Sequence, residues 1–147
     1  MKTECVNILL VEDNPGDVKL TTAAIQKART LSNLEIVGDG EAALDFLYRR
    51  GKHANAPRPH LILLDLNLPK LSGKEVLAQI KEDPNLKDIP VCILTGSKAE
   101  EDIVKSYKLH ANCYLVKPVE AGEFMKLVVS IEDFWFKIVV IPNVNQF

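Results

Sequence analysis

Residues 61–73 read LILLDLNLPKLSG: four consecutive apolar residues from Leu61 to Leu64, closed by Asp65, with Pro69 and Gly73 punctuating the turn that follows. A strand with one wet face alternates apolar and polar residues, so an unbroken run of this length predicts a strand covered on both faces. Beyond it, Val76, Leu77 and Ile80 recur at helical spacing. The unit is therefore a buried strand, a turn and a helix.

The same unit repeats on either side. Towards the N-terminus, Asn7 to Val11 (NILLV) is a short apolar strand followed by a helix-forming stretch from Gly16-Asp17 to about Arg29. Leu34 to Val37 is a second strand, closed by Gly38-Asp39-Gly40, and Ala43, Leu44 and Leu47 mark its helix before the loop Gly51 to Pro59. Towards the C-terminus, Pro84 and Pro90 bracket the return to a fourth strand, Val91 to Leu94. A helix from about Glu100 then places Ile103, Val104 and Tyr107 on one face, and Cys113 to Val116 forms the fifth strand. A last helix from near Glu120 sets Phe124, Leu127, Val128, Ile131 and Phe134 or Trp135 at spacings of three and four. Five strands alternating with five helices, the central strands apolar throughout, predict a doubly wound α/β domain around a parallel sheet. The apolar tail from Ile138 onward, residues 138–147, lies beyond the fifth helix.

Length and composition agree with one folded domain. The chain has 147 residues, 47% of them hydrophobic and 26% charged, with seven Gly and eight Pro. Eighteen basic against twenty acidic residues leave a net charge of −2, and no basic run suggests a footprint for nucleic acid. The apolar stretch within residues 1–10 is short and breaks into Glu12-Asp13-Asn14-Pro15, and nothing approaches the roughly 20 apolar residues that cross a bilayer. The expectation is a cytoplasmic protein. Cys5, Cys92 and Cys113 lack metal-like spacing and read as buried free thiols of a reducing compartment. His53, His60 and His110 are too scattered for a zinc site.

In an open parallel sheet, ligands bind outside the carboxyl ends of the strands. Glu12 and Asp13 end the first strand, Asp65 the third and Thr95 the fourth, and Lys117 follows the fifth. Three carboxylates brought together repel one another, which a hard divalent cation offsets, and an all-oxygen ligand set suits Mg2+ better than Zn2+. Asp13 and Asp65 would bind it directly, Glu12 through water, and the carbonyl of Asn67 would complete the protein's share. A cation beside a carboxylate suits phosphoryl chemistry, with Asp65 as nucleophile, Thr95 and a backbone amide of the following turn donating to phosphoryl oxygens, and Lys117 pairing with another. No GxxxxGK[ST] loop is present, so the expected donor is another phosphoprotein rather than ATP. Taken singly, each element also reads as a turn residue, a cap or a solvated charge, and the inference rests on their joint placement.

These motifs together resemble the receiver domain of two-component response regulators, along nearly the whole chain. LLVEDNPGD supplies the acidic pair, LILLDLNLPKLSG the acceptor Asp65, ILTGS the hydroxyl Thr95, and NCYLVKP the aromatic Tyr114 with Lys117-Pro118. The resemblance implies a flavodoxin-like strand order 2-1-3-4-5 and Mg2+-dependent transfer from a histidine kinase phosphohistidine to Asp65. It also implies a switch in which Thr95 turns towards the phosphoryl group and Tyr114 moves inward, altering the face of helix four, strand five and helix five.

SYKLHANCYLVKP, the loop GKHANAPRPH and EDFWFK are similar to receivers associated with cyanobacterial phytochromes. That likeness implies a light-regulated histidine kinase as partner. It also implies a homodimer through the helix four, strand five, helix five face and the C-terminal segment, around Phe134, Trp135, Phe136 and the following IVVIP. Two features depart from the commonest receiver pattern: Glu12 stands where Asp is more familiar, and His110 where Gly is frequent. The leading reading is a stand-alone phosphoacceptor that signals by protein contact. Its rivals are a phosphorylation-inert interaction module, a small phosphohydrolase and a flavin carrier. The acidic first loop disfavours the flavin, and the lack of an acid partner near Asp65 disfavours the phosphohydrolase.

Overall fold

The computed structural model describes residues 6–27, 32–106 and 111–138, with side chains of the last helix through residue 130. In chain order the elements are β1 (Val6–Val11), α1 (Pro15–Lys27), β2 (Ser32–Val37), α2 (Gly40–Leu47), β3 (Leu61–Asp65), α3 (Gly73–Glu82), β4 (Val91–Thr95), α4 (Lys98–Ser106), β5 (Cys113–Val116) and α5 (Ala121–Ile138). All strand pairs are parallel, and the sheet order is β2-β1-β3-β4-β5. The doubly wound, flavodoxin-like expectation is borne out, strand order included.

The sheet divides its side chains by the period of two that a pleated strand imposes. Leu9, Val11, Ile62, Leu64, Val91 and Ile93 face one core with Ala43 and Leu44 of α2, Val76, Leu77 and Ile80 of α3, and Val104 of α4. Ile8, Leu10, Leu61, Leu63, Cys92 and Leu94 face the other with Ala24 and Ile25 of α1 and Phe124, Leu127 and Val128 of α5. Every residue of β3 and β4 is buried, so the unbroken apolar runs follow from helices on both faces. β5, at the sheet edge, is only half-buried.

Several boundaries differ from the sequence reading for identifiable reasons. α4 begins at Lys98 rather than near Glu100 because the Ser97 hydroxyl accepts the Glu100 N–H at 3.1 Å, an N-cap before the first apolar residue. On that helix Val104 is buried but Ile103 is 56% exposed, so the two do not share the inward face expected of them; Tyr107 lies outside the described residues. The inward polar partner is Glu101, buried between Lys98 and Lys105. The loop before β3 contains a short 3-10 turn, Gly51–His53.

α5 continues through Ile138, one residue into the stretch read as tail. The side chains of Ile131, Phe134, Trp135 and Phe136 and the segment 139–147 lie outside the described residues, as do Cys5 and His110. Cys92 and Cys113 are free thiols, the first buried and the second half-buried. His60 has a structural role: its Nδ1 accepts the Asn7 N–H at 2.9 Å where β1 and β3 begin. Among the described residues, no helix is long and apolar enough to cross a membrane.

Candidate functional site

The chain order changes direction between β1 and β3, and the carboxyl ends of these neighbours carry the acidic residues. The Glu12 N–H donates to the Val37 carbonyl at 3.0 Å, which extends the β1–β2 pairing to the edge of the site and buries the Glu12 side chain. Asn14 then caps α1: its Oδ1 accepts the Asp17 N–H at 3.0 Å, while its own N–H donates to Glu12 Oε2 at 3.3 Å. Asp65, the last residue of β3, is 4% exposed and accepts the Asn67 N–H on Oδ1 at 3.1 Å.

Behind Asp65, α3 approaches so closely that a Cβ at Gly73 would overlap the Asp65 carbonyl oxygen and lie 2.5 Å from Leu66 Cα. The Gly73 N–H instead donates to the Leu66 carbonyl at 3.0 Å. Ser72 and Glu75 form a reciprocal capping box that starts α3 at this contact. On the far side, the Lys117 N–H donates to the Thr95 carbonyl at 2.7 Å, tying the residue after β5 to the end of β4. The Lys117-Pro118 peptide is cis.

Residues more than one hundred positions apart thus meet. Lys117 Nζ lies 3.0 Å from Glu12 Oε1, 2.9 Å from Asp17 Oδ2 and 3.2 Å from Asp65 Oδ2. Glu12, Asp13 and Asp65 each offer a carboxylate oxygen, all within 4.8 Å of one another, Asp13 being the exposed member. Burial, with Asp65 beside it, pushes the Glu12 carboxyl up to about 7 against the opposing pull of Lys117. Burial opposes the charge on Lys117, but hydrogen bonds to Asp17 and Glu12 and the field of Asp65 outweigh it, and its pKa rises above the ordinary lysine value. Three hard oxygen donors around one point, two of them buried, fit a divalent metal ion. Such an ion, when bound, neutralises charge on a transferring phosphoryl group.

Thr95 is fully buried, with its hydroxyl 3.4 Å from the carbonyls of both Ser97 and Leu115, so it engages backbone rather than Asp65. The amide of the following turn, Gly96 N–H, donates to Glu100 Oε2 at 3.1 Å. Tyr114, half-buried on β5, packs against the α2–α3–α4 core, and Lys105 Nζ lies 5.4 Å from its ring centre. Burial raises its phenol pKa above the ordinary value.

The profile of the family described as "Response regulator receiver domain" matches residues 8–129. This chain belongs to that family. The receiver is 49% identical to the response regulator Rcp1 of Synechocystis sp. over 135 residues, 92% of each chain. A crystal structure of Rcp1 in a Mn2+-bound form superposes with a TM-score of 0.70 at 48% identity, covering 93% of this chain and 99% of that one. The bacteriophytochrome response regulator AtBRR superposes with a TM-score of 0.82 at 44% identity, over 90% of this chain and 96% of that one. The phosphorylated cyanobacterial phytochrome response regulator RcpA does so at 0.73 and 45%, over 95% and 99%. The receiver is thereby a response regulator of the two-component phosphorelay type.

Of the residues singled out in the sequence, Glu12, Asp13, Asp65 and Lys117 converge in this receiver. Thr95 stands at the neighbouring strand end, and Tyr114 lies on β5. Asn67 meets the cluster through its N–H. Sequence reasoning gave Asp17 only a place at the start of a helix, where an acid is favourable for the helix dipole alone. Its position in the first turn of α1, directly after the acidic loop, was the available signal. Gly73 was read as punctuation, and its close approach to the backbone of Asp65 is visible only in three dimensions.

Proposed function

We propose that Asp65 is the phosphoacceptor of this receiver and that Glu12, Asp13, Asp65 and the Asn67 carbonyl bind Mg2+ there. The observation that carries this reading is the Asp65 carboxylate at the end of β3, 3.2 Å from the Lys117 ammonium and within 4.8 Å of Glu12 and Asp13 oxygens. A carboxylate oxygen of Asp65 attacks phosphorus, the bond between phosphorus and the donor's imidazole nitrogen breaks, and its electron pair returns to the imidazole. Lys117 neutralises one phosphoryl oxygen as its charge develops.

Thr95 is the switch hydroxyl. To reach a phosphoryl oxygen it gives up its two long backbone contacts, and Tyr114 follows into the space released. The Gly96 N–H becomes a second donor when it exchanges the Glu100 carboxylate for phosphoryl oxygen.

The likeness to Rcp1, AtBRR and RcpA supports a phytochrome-type sensor histidine kinase as donor. The exposed apolar residues Ile103, Met125 and Val129 on the α4–β5–α5 face support a homodimer through that face, together with the C-terminal segment. The net charge of −2 supports signalling by protein contact rather than by nucleic-acid binding.

The test is intact mass after incubation with acetyl phosphate, with and without Mg2+, beside Asp65→Asn. The expected result is one Mg2+-dependent phosphoryl adduct on the parent and none on the variant. A full-level adduct on Asp65→Asn overturns the acceptor assignment. Transfer from a phosphorylated phytochrome-type kinase, compared with transfer from an unrelated histidine kinase, then tests the donor.

A further inference from the structure

Asp17 makes the shortest of the three contacts to the Lys117 ammonium, 2.9 Å, yet it is not among the three carboxylates whose oxygens converge for a cation. The other two contacts fall on Glu12 and Asp65, which are members of that cluster. Their remaining oxygens accept backbone N–H groups, Glu12 Oε2 from Asn14 and Asp65 Oδ1 from Asn67. A divalent ion and the ammonium therefore compete for the same two carboxylates, and the two cations repel each other in a partly buried site. Asp17 alone can hold the ammonium without giving up a metal ligand. Its backbone is pinned for this by the Asn14 cap in the first turn of α1, and its side chain is 31% exposed against 16% for Lys117, so the pair sits at the mouth of the site.

We propose that Asp17 is a positioning residue that retains the Lys117 ammonium when the cation takes the carboxylates of Glu12 and Asp65, and thereby sets the affinity of the site for Mg2+. The inference rests on the reading of Glu12, Asp13 and Asp65 as the cation site. With Asp17 present, Lys117 yields its contacts to Glu12 and Asp65 and stays paired. Without it, the ammonium has, among the described residues, only the cation's own ligands to pair with, and binding of the ion must displace it towards water.

Because the effect runs through Lys117, a double-mutant cycle isolates it from a simple loss of negative charge. Mg2+ binding is measured by titration calorimetry on the parent, Asp17→Asn, Lys117→Ala and the double variant, with circular dichroism confirming that each is folded. Asp17→Asn is expected to weaken Mg2+ binding by about tenfold in the parent and by less than about twofold in the Lys117→Ala background. Asp17→Glu, which restores the charge on a longer stem, is expected to recover most of the loss. Asp17→Ser provides a second charge-free side chain without the amide.

Equal weakening in both backgrounds would show action through space and overturn the proposal. So would an unchanged affinity in both Asp17→Asn and Asp17→Ser. A parent that binds no Mg2+ saturably overturns the cation-site reading itself and this inference with it, whereas saturable binding without coupling overturns the inference alone.

Discussion

The ammonium of Lys117 lies 3.2 Å from Asp65 Oδ2, across 52 positions of sequence, and the same nitrogen lies 3.0 Å from Glu12 Oε1. One cation thus bridges the carboxyl ends of β1 and β3 from beyond the end of β5. In the proposed roles, Lys117→Ala removes a charge that would assist phosphoryl transfer but compete with the metal for its ligands. The rate of adduct formation from acetyl phosphate should fall by about a hundredfold, while the Mg2+ affinity measured by calorimetry stays equal to the parent's or rises. Parallel losses of rate and affinity would contradict the separate roles assigned to Lys117 and the carboxylates.

Glu12 gives the site a pH dependence of defined sign. Its carboxyl is raised to about 7 in the folded protein, by burial first and then by Asp65, from an ordinary value of 4.5. Between these values the folded state holds a proton that the unfolded chain releases. The stabilisation is complete below about pH 4.5 and is lost as pH rises towards 7. Urea midpoints of the metal-free protein should therefore decline across this window more steeply than those of Glu12→Gln. Mg2+ requires the ionised carboxylate, so its apparent affinity should rise by up to about tenfold per pH unit until Glu12 is deprotonated. An identical pH slope in Glu12→Gln would sink the assignment.

Gly73 tests how tightly α3 is set against Asp65. A methyl group there meets backbone, the Asp65 carbonyl and Leu66 Cα, rather than a side chain that can swing away. Gly73→Ala should cost about 3 kcal/mol of stability in urea unfolding and slow phosphorylation of Asp65 in the fraction that folds. Gly122, whose added Cβ would meet nothing within 4 Å, supplies the control: Gly122→Ala should leave the urea midpoint unchanged or raise it.

The α4–β5–α5 face offers a test of assembly. Val129 is 49% exposed on α5, so a charge there is tolerated by the folded monomer and penalised only where another surface covers it. Light scattering on the eluting protein should show Val129→Glu weakening the dimer by at least about tenfold while its circular dichroism matches the parent's. A parent that stays monomeric at high concentration, with and without phosphorylation, would refute the proposed interface.

The unbroken run from Leu61 to Leu64 was sufficient to declare a strand covered on both faces, because no other environment leaves a strand without a polar side. Asp65, Thr95 and Lys117 were legible as neighbours because each follows directly on an apolar run, and parallel topology brings all such positions to one edge of the sheet. Ile103 was misplaced because helical spacing defines a stripe but not its edge, and the Ser97 cap with the buried Glu101 set the rotation of α4. Asp17 and Gly73 stayed hidden for a different reason. Their roles are contacts with groups distant in sequence or with backbone, and a local pattern encodes neither.

Sequence alone therefore determined the alternation of elements, the doubly wound class and which polar groups end the strands, since these follow from side-chain polarity and strand periodicity. Tertiary structure decided which carboxylates share the Lys117 ammonium and how closely α3 meets Asp65. Those are matters of a few ångströms between separate elements, and they are settled only when both faces of the sheet are packed.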